Sequence, residues 1–287
     1  MTQLETFTFT GEKDGPHILL TGRIHGNEPC GEMALKRLIE KLSTHDLELQ
    51  SGQVTIIPCC NPPATLANKR FIDVNLNRIF SHNLVRDHIE AAEAPLATEI
   101  MAHIDACDMV VDLHSFTEDM PPVVICVDDQ NDQSRALAQA CAIKRIESDS
   151  PLISAPHTQL LLHYARHNHK PAILVEAGQH DDPQSVEVAF QAVMNILSLR
   201  DMVDAPKPEP MNHEYLVIRG ALDKREGEKL IFPLMEKDRI EHGDAVFEMA
   251  DGTIIHADQG GLLFMRNANT PVGEVYAYIC EVYDDWP

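Results

Sequence analysis

"HILLTGRIHGNEPCGEMALKRLIEKL", residues 17–42, joins an apolar run to an amphipathic segment through a polar turn. The run at 17–22 has the character of a buried strand, and residues 31–42 show the 3.6-residue period of a helix. His25 and Glu28 stand between them in the turn. Because loops at the carboxyl ends of strands form the sites of α/β sheets, these two residues are candidates for part of a metal site.

The same alternation of short apolar runs and helical segments continues through the first 200 residues. It predicts an α/β sheet covered by helices on both faces, since several of the runs are apolar almost throughout. The further predicted strands are 53–58, 109–114, 123–127 and 172–177. The further predicted helices are 94–106, 133–144, 157–169 and 183–200.

The pattern changes at the proline-rich segment "DAPKPEPMNHE", residues 204–214, which favours an extended linker. Beyond it, strand-like runs alternate with glycine turns, and "ADG" at 250–252 between "VFEM" and "TIIHA" predicts a hairpin. We therefore expect two domains, a catalytic domain at 1–206 and a small β domain at 207–287.

Composition restricts the partners and the cellular location. The chain of 287 residues is 44% hydrophobic and carries a formal net charge of −22, which opposes binding to nucleic acid or an anionic membrane surface. It contains no apolar run of the roughly 18 residues that a membrane helix needs, and "MTQLETFTFTGEKDG" lacks the features of a signal peptide. We expect a cytoplasmic protein whose seven cysteines, without a C-x-x-C pair, are mostly buried reduced thiols.

A third metal ligand is offered by His114, at the end of the predicted strand "MVVDLH". With His25 and Glu28 it would complete a His₂Glu set, which is known for zinc hydrolases. Taken alone, His114 would be explained more simply as a strand-end histidine bonded to the backbone, but its position beside the other two favours a ligand. Asp112 could orient a ligand, although the simpler interpretation is a polar strand-end residue. A second H-x-x-E at 45–48 lies in a polar stretch and gives no such signal.

Two further polar groups stand out near strand ends. Glu176 ends the buried run "AILVEAG", where a lone carboxylate is costly unless it has a partner or a task. Arg70, Asn77 and Arg78 lie close together in a chain short of positive charge. Because the arginine fork donates two parallel hydrogen bonds, these arginines indicate a pocket for an anionic substrate or an oxyanion. The alternatives are a salt bridge for Glu176 and pairing with surface carboxylates for the arginines.

Four motifs occur in an order that resembles a known family, the succinylglutamate desuccinylases and aspartoacylases. The motifs are "GRIHGNEPCG", "NPPATLANKRFIDVNLNRIF", "DLHS" and "VEAG", and they span roughly residues 20 to 180. The resemblance implies the fold of the zinc carboxypeptidases, with a mixed, largely parallel sheet, and the small C-terminal β domain also suits it. It implies a zinc-dependent hydrolase that cleaves the amide bond of an N-acyl amino acid.

The resemblance also assigns roles to residues of this chain. It implies one zinc ion per chain, held by His25, Glu28 and His114. Glu176 would act as general base and then as general acid. Arg70 would polarise the scissile carbonyl and stabilise the oxyanion.

Substrate binding is implied for three more residues. Asn77 and Arg78 would hold the carboxylate of a small anionic N-acyl amino acid, and Arg166 would supply a further arginine. Asn75 departs from the family, because aspartoacylases usually carry an aspartate there, and the acyl group and amino acid stay open. Self-association into a homo-oligomer also stays open.

Three alternatives remain at this stage. A zinc carboxypeptidase acting on a peptide would share the fold and the ligands, and a binding protein could keep the fold without catalysis. Glu176 and Arg70 argue against the binding protein, since a binder has no use for a base. His163 and His167 lie four residues apart on a predicted helix and could bind a second metal, but a solvated helix face explains their spacing more simply.

Overall fold

The computed structural model describes residues 4–128, 130–148 and 159–286. The chain divides into two compact units, Met1–His213 and Glu214–Pro287. Between Asp204 and His213 the chain forms neither helix nor strand. The assignment of a catalytic domain to 1–206 and a β domain to 207–287 stays a prediction.

The first unit alternates strands and helices. Its described strands are β1 (Phe7–Thr10), β2 (Lys13–Gly22), β3 (Ser51–Ile57), β4 (Met109–Phe116), β5 (Val123–Cys126), β6 (Arg145–Ser148) and β7 (Ala172–Gln179). Its described helices are α1 (Pro29–Ser43), α2 (Pro62–Leu66), α3 (His82–Asp87), α4 (Ala94–Ala106), α5 (Asp132–Ala140), α6 (Leu161–His167) and α7 (Pro183–Leu199), with a 3₁₀ turn at Leu76–Arg78. The predicted helix at 157–169 begins at Leu161 in the structure, and residues 157 and 158 lie outside the described residues.

The strands of this unit lie in the order β1-β3-β2-β4-β7-β5-β6. The pairs β3–β2, β2–β4, β4–β7 and β5–β6 are parallel, whereas β1–β3 and β5–β7 are antiparallel. The mixed, largely parallel sheet is therefore confirmed. The sequence pattern did not indicate β1 and β6, because "FTFT" and "RIES" contain polar residues and form no apolar run, unlike the equally short β5.

Helices cover both faces of the sheet. Every residue of β4 is buried, so neither face of this central strand meets solvent. The helix α1 packs against α7 and α4 packs against α6, and α1, α6 and α7 all contact β4. The sheet thus has the apolar interior that brings polar residues together at its strand ends.

The parallel strands β2, β4 and β7 bring their carboxyl ends to one edge of the sheet. Gly22 at the end of β2 pairs with Leu113 of β4, and His114 pairs with Glu176 of β7. Residues that follow β2 and residues near the ends of β4 and β7 therefore meet at this edge, as the sequence predicts for the candidate site.

The second unit consists of short antiparallel strands. They are β8 (Glu214–Asp223), β9 (Glu228–Leu230), β10 (Arg239–Ile240), β11 (Ala245–Met249), β12 (Ile254–His256), β13 (Gly261–Phe264) and β14 (Val275–Tyr283). The predicted hairpin is confirmed, since β11 pairs with β12 and Gly252 in the turn has φ 84°. Phe232, Ile240 and Ile279 belong to the buried apolar core of this unit.

Two expectations from composition can be compared with the structure. None of the seven cysteines, all of which lie among the described residues, forms a disulfide, and six of them are buried, which agrees with the prediction of mostly buried thiols. Within the residues that the structure describes, no helix has the length and apolar character required to cross a membrane.

Candidate active site

The turn after β2 places His25 and Glu28 at the sheet edge. Arg23 takes a left-handed conformation with φ 53°, and the Glu28 N–H donates to the His25 carbonyl at 3.1 Å. Gly26 lies so close to α2 that a Cβ atom there would be 2.2 Å from the backbone carbon of Ala64. A side chain at residue 26 would therefore displace the turn. Glu28 directly precedes α1, whose first residue is Pro29, a residue suited to the start of a helix.

His25, Glu28 and His114 form a buried cluster of metal-ligand type. One ligand atom from each residue lies within 4.8 Å of the other two, and in the described part of the chain this is the only such group of three or more residues. His25 Nδ1 is 2.8 Å from Glu28 Oε1, and His114 Nδ1 is 2.9 Å from Glu28 Oε2. The three predicted metal ligands are therefore brought together.

The far nitrogen of each imidazole has an oxygen partner. His114 Nε2 is 2.8 Å from Asp112 Oδ2, and Thr21 donates its hydroxyl to the other oxygen of Asp112 at 2.7 Å. His25 Nε2 is 3.1 Å from Asn75 Oδ1, which also accepts the N–H of Asn77. Since both partners are oxygen acceptors, each Nε2 donates its proton, and each Nδ1 faces the Glu28 carboxylate.

The donor set fits a metal cation. Burial is the largest influence on His25 and lowers its pKa to about 4, and the 2.8 Å approach of its buried Nδ1 to Glu28 Oε1 lacks hydrogen-bond geometry. For Glu28, burial raises the pKa, but the two imidazoles outweigh it and hold the pKa well below its ordinary value. For His114, burial lowers the pKa, but Asp112 and Glu28 outweigh it and raise the pKa well above its ordinary value. A carboxylate that faces an unprotonated nitrogen, as Glu28 faces His25, suits a metal ion. At His114 a bound metal would take the place of the proton on the nitrogen that faces Glu28.

Glu176 lies beside the cluster on the neighbouring strand. It pairs with His114 in the sheet and is buried, and its Oε2 atom has no hydrogen-bond partner. Burial raises the pKa of Glu176 to about 8, and the charge of Glu28 adds to this effect against the opposing charge of His114. Such a carboxyl group can exchange a proton near neutral pH, as a general base and acid must.

Arg70 reaches the cluster from the loop that follows α2. Its Nη1 donates to Glu28 Oε1 at 2.7 Å, while 44% of its side chain is exposed. The Arg70 carbonyl accepts the N–H of Gly26 at 3.2 Å, so backbone and side chain both attach the loop to the metal-site turn. The guanidinium combines a fixed position with access to a bound molecule.

The three residues predicted to bind substrate have different surroundings. Asn77 is buried, and its Oδ1 accepts the N–H of Leu161 at the start of α6. Arg78 donates to the Asn77 carbonyl at 2.7 Å. Arg166 lies in the last turn of α6 with its Nε 3.9 Å from Asp128. Asn77 is linked to the cluster through Asn75, whereas Arg166 is not among the residues whose contacts build the cluster. Their substrate contacts stay predictions.

The structure gives contacts at or beside the cluster to three residues outside the predicted site, Asn75, Asp112 and His180. Asn75 contacts His25, and Asp112, for which the simpler interpretation was a polar strand end, contacts His114. His180 follows β7, where its Nδ1 is 2.8 Å from the Ser115 hydroxyl, next to His114. The histidine four residues after Glu176 in "VEAGQH" was the available signal for this neighbour.

The histidines of α6 do not share a solvated face, so that interpretation is wrong. His163 is buried and its Nδ1 accepts the N–H of Leu160, whereas His167 is exposed. His163 lies on the core side of a helix whose N-terminal turn it helps to close.

A mixed sheet with a His-Glu-His cluster and a buried carboxyl group at its edge defines a hydrolase-like fold and site. Residues 14–200 match the model of the succinylglutamate desuccinylase/aspartoacylase catalytic domain. The chain belongs to this family.

Individual relatives carry related names. An N-alpha-acetyl-L-2,4-diaminobutyric acid deacetylase from Halomonas elongata is 36% identical over 136 residues, which are 45% of this chain and 38% of that protein. A succinylglutamate desuccinylase from Vibrio vulnificus is 22% identical over 97% of this chain and 84% of its own length. A crystal structure of a succinylglutamate desuccinylase/aspartoacylase from Rhodobacter sphaeroides has a TM-score of 0.77 at 18% identity, covering 99% of this chain and 90% of that one. The last similarity supports the fold.

Proposed function

We propose that this protein is a zinc-dependent hydrolase that cleaves the amide bond of a small anionic N-acyl amino acid. The observation that carries the proposal is the buried His25, Glu28 and His114 cluster with Glu176 paired beside His114. Two imidazoles and one carboxylate are the protein ligands of several zinc hydrolases. The family membership and the names of its relatives support an acylated amino acid as the substrate class.

One zinc ion per chain would be held by His25, Glu28 and His114. A zinc ion in such a site lowers the pKa of its water to about 7 and polarises carbonyl groups. Asp112 and Asn75 orient the two imidazoles by accepting the Nε2 protons. The ligands are thereby prepared before the metal binds.

Glu176 would move the proton. Its carboxylate takes a proton from the water that attacks the amide carbon, and the resulting carboxyl group gives that proton to the leaving nitrogen. The C–N bond breaks, and a carboxylate and a free amino acid are the products. A nearby dication would lower the raised pKa of Glu176 and so favour its role as the base.

Arg70 would stabilise the oxyanion of the tetrahedral intermediate, since its guanidinium is fixed by Glu28 yet partly exposed. Asn77, Arg78 and Arg166 are proposed to bind the substrate carboxylate. A cytoplasmic location and self-association stay predictions.

A substrate panel tests the proposed reaction. The full chain, loaded with zinc, is offered acetyl and succinyl derivatives of aspartate, glutamate and 2,4-diaminobutyrate, together with peptides that have a free carboxyl end. We expect release of a free amino acid from at least one acyl derivative and no cleavage of the peptides. Cleavage of peptides alone would identify a carboxypeptidase, and no turnover at all would identify a binding protein.

A further inference from the structure

The carboxylate of Glu93 is fully buried and binds a loop rather than its own helix. Glu93 stands directly before α4 and is 0% exposed, and its side chain does not cap that helix. Its Oε1 accepts the N–H of Ile72 at 2.7 Å, and its Oε2 accepts the N–H groups of Asp73 and Val74, each at 3.2 Å. Three consecutive backbone donors therefore converge on one carboxylate.

The loop also accepts a backbone hydrogen bond from the segment that carries Glu93. Asp73 Oδ2 accepts the N–H of Ala92 at 2.8 Å, one residue before Glu93. Each carboxylate thus accepts a backbone N–H from the segment that carries the other, and we call this arrangement the Glu93 clamp. Asn61, which precedes α2, places its side-chain nitrogen 3.5 Å from Glu93 Oε1.

The charge of Glu93 is balanced by these donors. Among the described residues, no lysine or arginine forms an ion pair with Glu93. A buried carboxylate is costly unless hydrogen bonds to its charged form replace water, and three backbone N–H groups provide them. The arrangement therefore depends on the loop keeping its present conformation.

The residues on both sides of the clamped segment reach the metal cluster. Arg70 precedes it and donates to Glu28 at 2.7 Å, and Asn75 follows it and lies 3.1 Å from His25. Neither residue lies in a helix or strand. Their positions are consequently set by the conformation of residues 72–74, which Glu93 holds.

We propose that Glu93 is a positioning residue that fixes the 70–75 loop, so that Arg70 meets the reacting carbonyl and Asn75 orients His25. The structural part of this proposal concerns the conformation of the loop alone. The catalytic part, the role of the loop in turnover, rests on the proposed function. Among the described residues, the side chain of Glu93 bonds to Asn61 and to the backbone of residues 72–74, not to the cluster, and it acts through Arg70 and Asn75.

Amide hydrogen exchange of the full chain tests the structural part. Glu93→Gln keeps the shape but removes the charge and turns an NH₂ group toward backbone donors. Exchange at residues 72–74 should accelerate at least ~10-fold, as expected for loss of hydrogen bonds to a charged acceptor. Glu99→Gln is the matched control, since Glu99 lies on α4, which directly follows Glu93, and its carboxylate also accepts a backbone N–H, that of Leu4. Unchanged exchange in Glu93→Gln would overturn the clamp.

A double-mutant cycle tests the catalytic part. Glu93→Gln should lower kcat by ~10- to 100-fold with a smaller change in KM. In an Arg70→Ala background the same substitution should lower kcat by no more than ~3-fold, because the side chain that Glu93 positions is already absent. An equal loss in both backgrounds would indicate general destabilisation and overturn the positioning role.

Two safeguards keep the outcomes separate. If Glu93→Gln does not fold, Asp73→Asn weakens the same clamp from its exposed side and should accelerate exchange at Ala92, whereas unchanged exchange there would count against the clamp. If wild-type protein turns over no acylated amino acid, the proposed function fails, yet faster exchange at residues 72–74 in Glu93→Gln would still support the clamp.

Discussion

Two halves of the candidate site are built in different ways. The strand half consists of Asp112 and His114 on β4 and Glu176 on β7, which parallel pairing holds in register. The loop half consists of Arg70, Asn75, Asn77 and Arg78, which lie outside the sheet. Strand residues owe their positions to the main sheet, whereas the loop residues depend on a few side-chain contacts. The strand half should therefore supply one metal ligand, His114, and the base, Glu176, while His25 and Glu28 come from the turn after β2 and the loop half adjusts the site.

Removing a metal ligand from the strand half should have the largest effect. His114→Ala should abolish zinc retention, because the remaining His25 and Glu28 are too few for a stable site. Metal analysis after dialysis measures this. His45→Ala, in the exposed H-x-x-E copy at 45–48, should keep one zinc per chain. Zinc retained at wild-type level in His114→Ala would show that His114 is not a ligand.

Substitution of the proposed base, Glu176, should have the second largest effect in the strand half. Glu176→Gln should bind zinc and substrate normally but lose at least ~10²-fold in kcat, since the amide cannot accept the proton. Steady-state kinetics on the substrate found in the panel provides the measurement, with Glu99→Gln as a control that retains activity. Near-normal turnover by Glu176→Gln would exclude it as the base.

Arg70 tests whether the loop half contributes to catalysis. Arg70→Ala should reduce kcat by ~10²-fold, the low end for loss of one oxyanion-stabilising donor, while zinc stays bound. Arg70→Lys should recover little of this loss because lysine lacks the planar fork. Arg37→Lys, which affects a surface pair with Glu187, is the matched control and should be silent. Full activity in Arg70→Lys would indicate that only the charge matters.

Substitutions of the residues that orient the two imidazoles should have the smallest effects, and they compare the two halves of the site most directly through zinc affinity. Asp112→Asn leaves His114 with a neutral partner like that of His25, and it should weaken zinc binding by ~10-fold, at the low end for such partners. Asn75→Ala should weaken it less, since an uncharged group is lost. Competition with a zinc chelator measures both affinities. A larger loss in Asn75→Ala would reverse the proposed ranking of the two halves.

The two halves also differ in how far the sequence predicts them. His114 and Glu176 end apolar runs, and parallel strands end at a common edge, so their meeting could be expected from the pattern. The α/β sheet covered by helices was likewise predictable from the pattern, but β1 and β6 were not, because neither forms an apolar run.

The loop half resisted prediction because long-range contacts determine it. Asn75 reaches His25 fifty residues away, and the loop that carries it is held by Glu93 from the start of α4. No periodicity connects these positions. The burial of His163 was missed for a related reason, since the turn that it closes begins at Leu160 and is not visible in the helical spacing.

A zinc titration tests the central claim most directly. Wild-type protein freed of metal by a chelator is titrated with zinc while amino acid release from the best N-acyl substrate is measured. The proposed site predicts no release before zinc is added, and a rise that saturates at one zinc per chain. Full activity in the metal-free protein, or saturation with no activity on any acylated amino acid, would contradict a zinc-dependent deacylase.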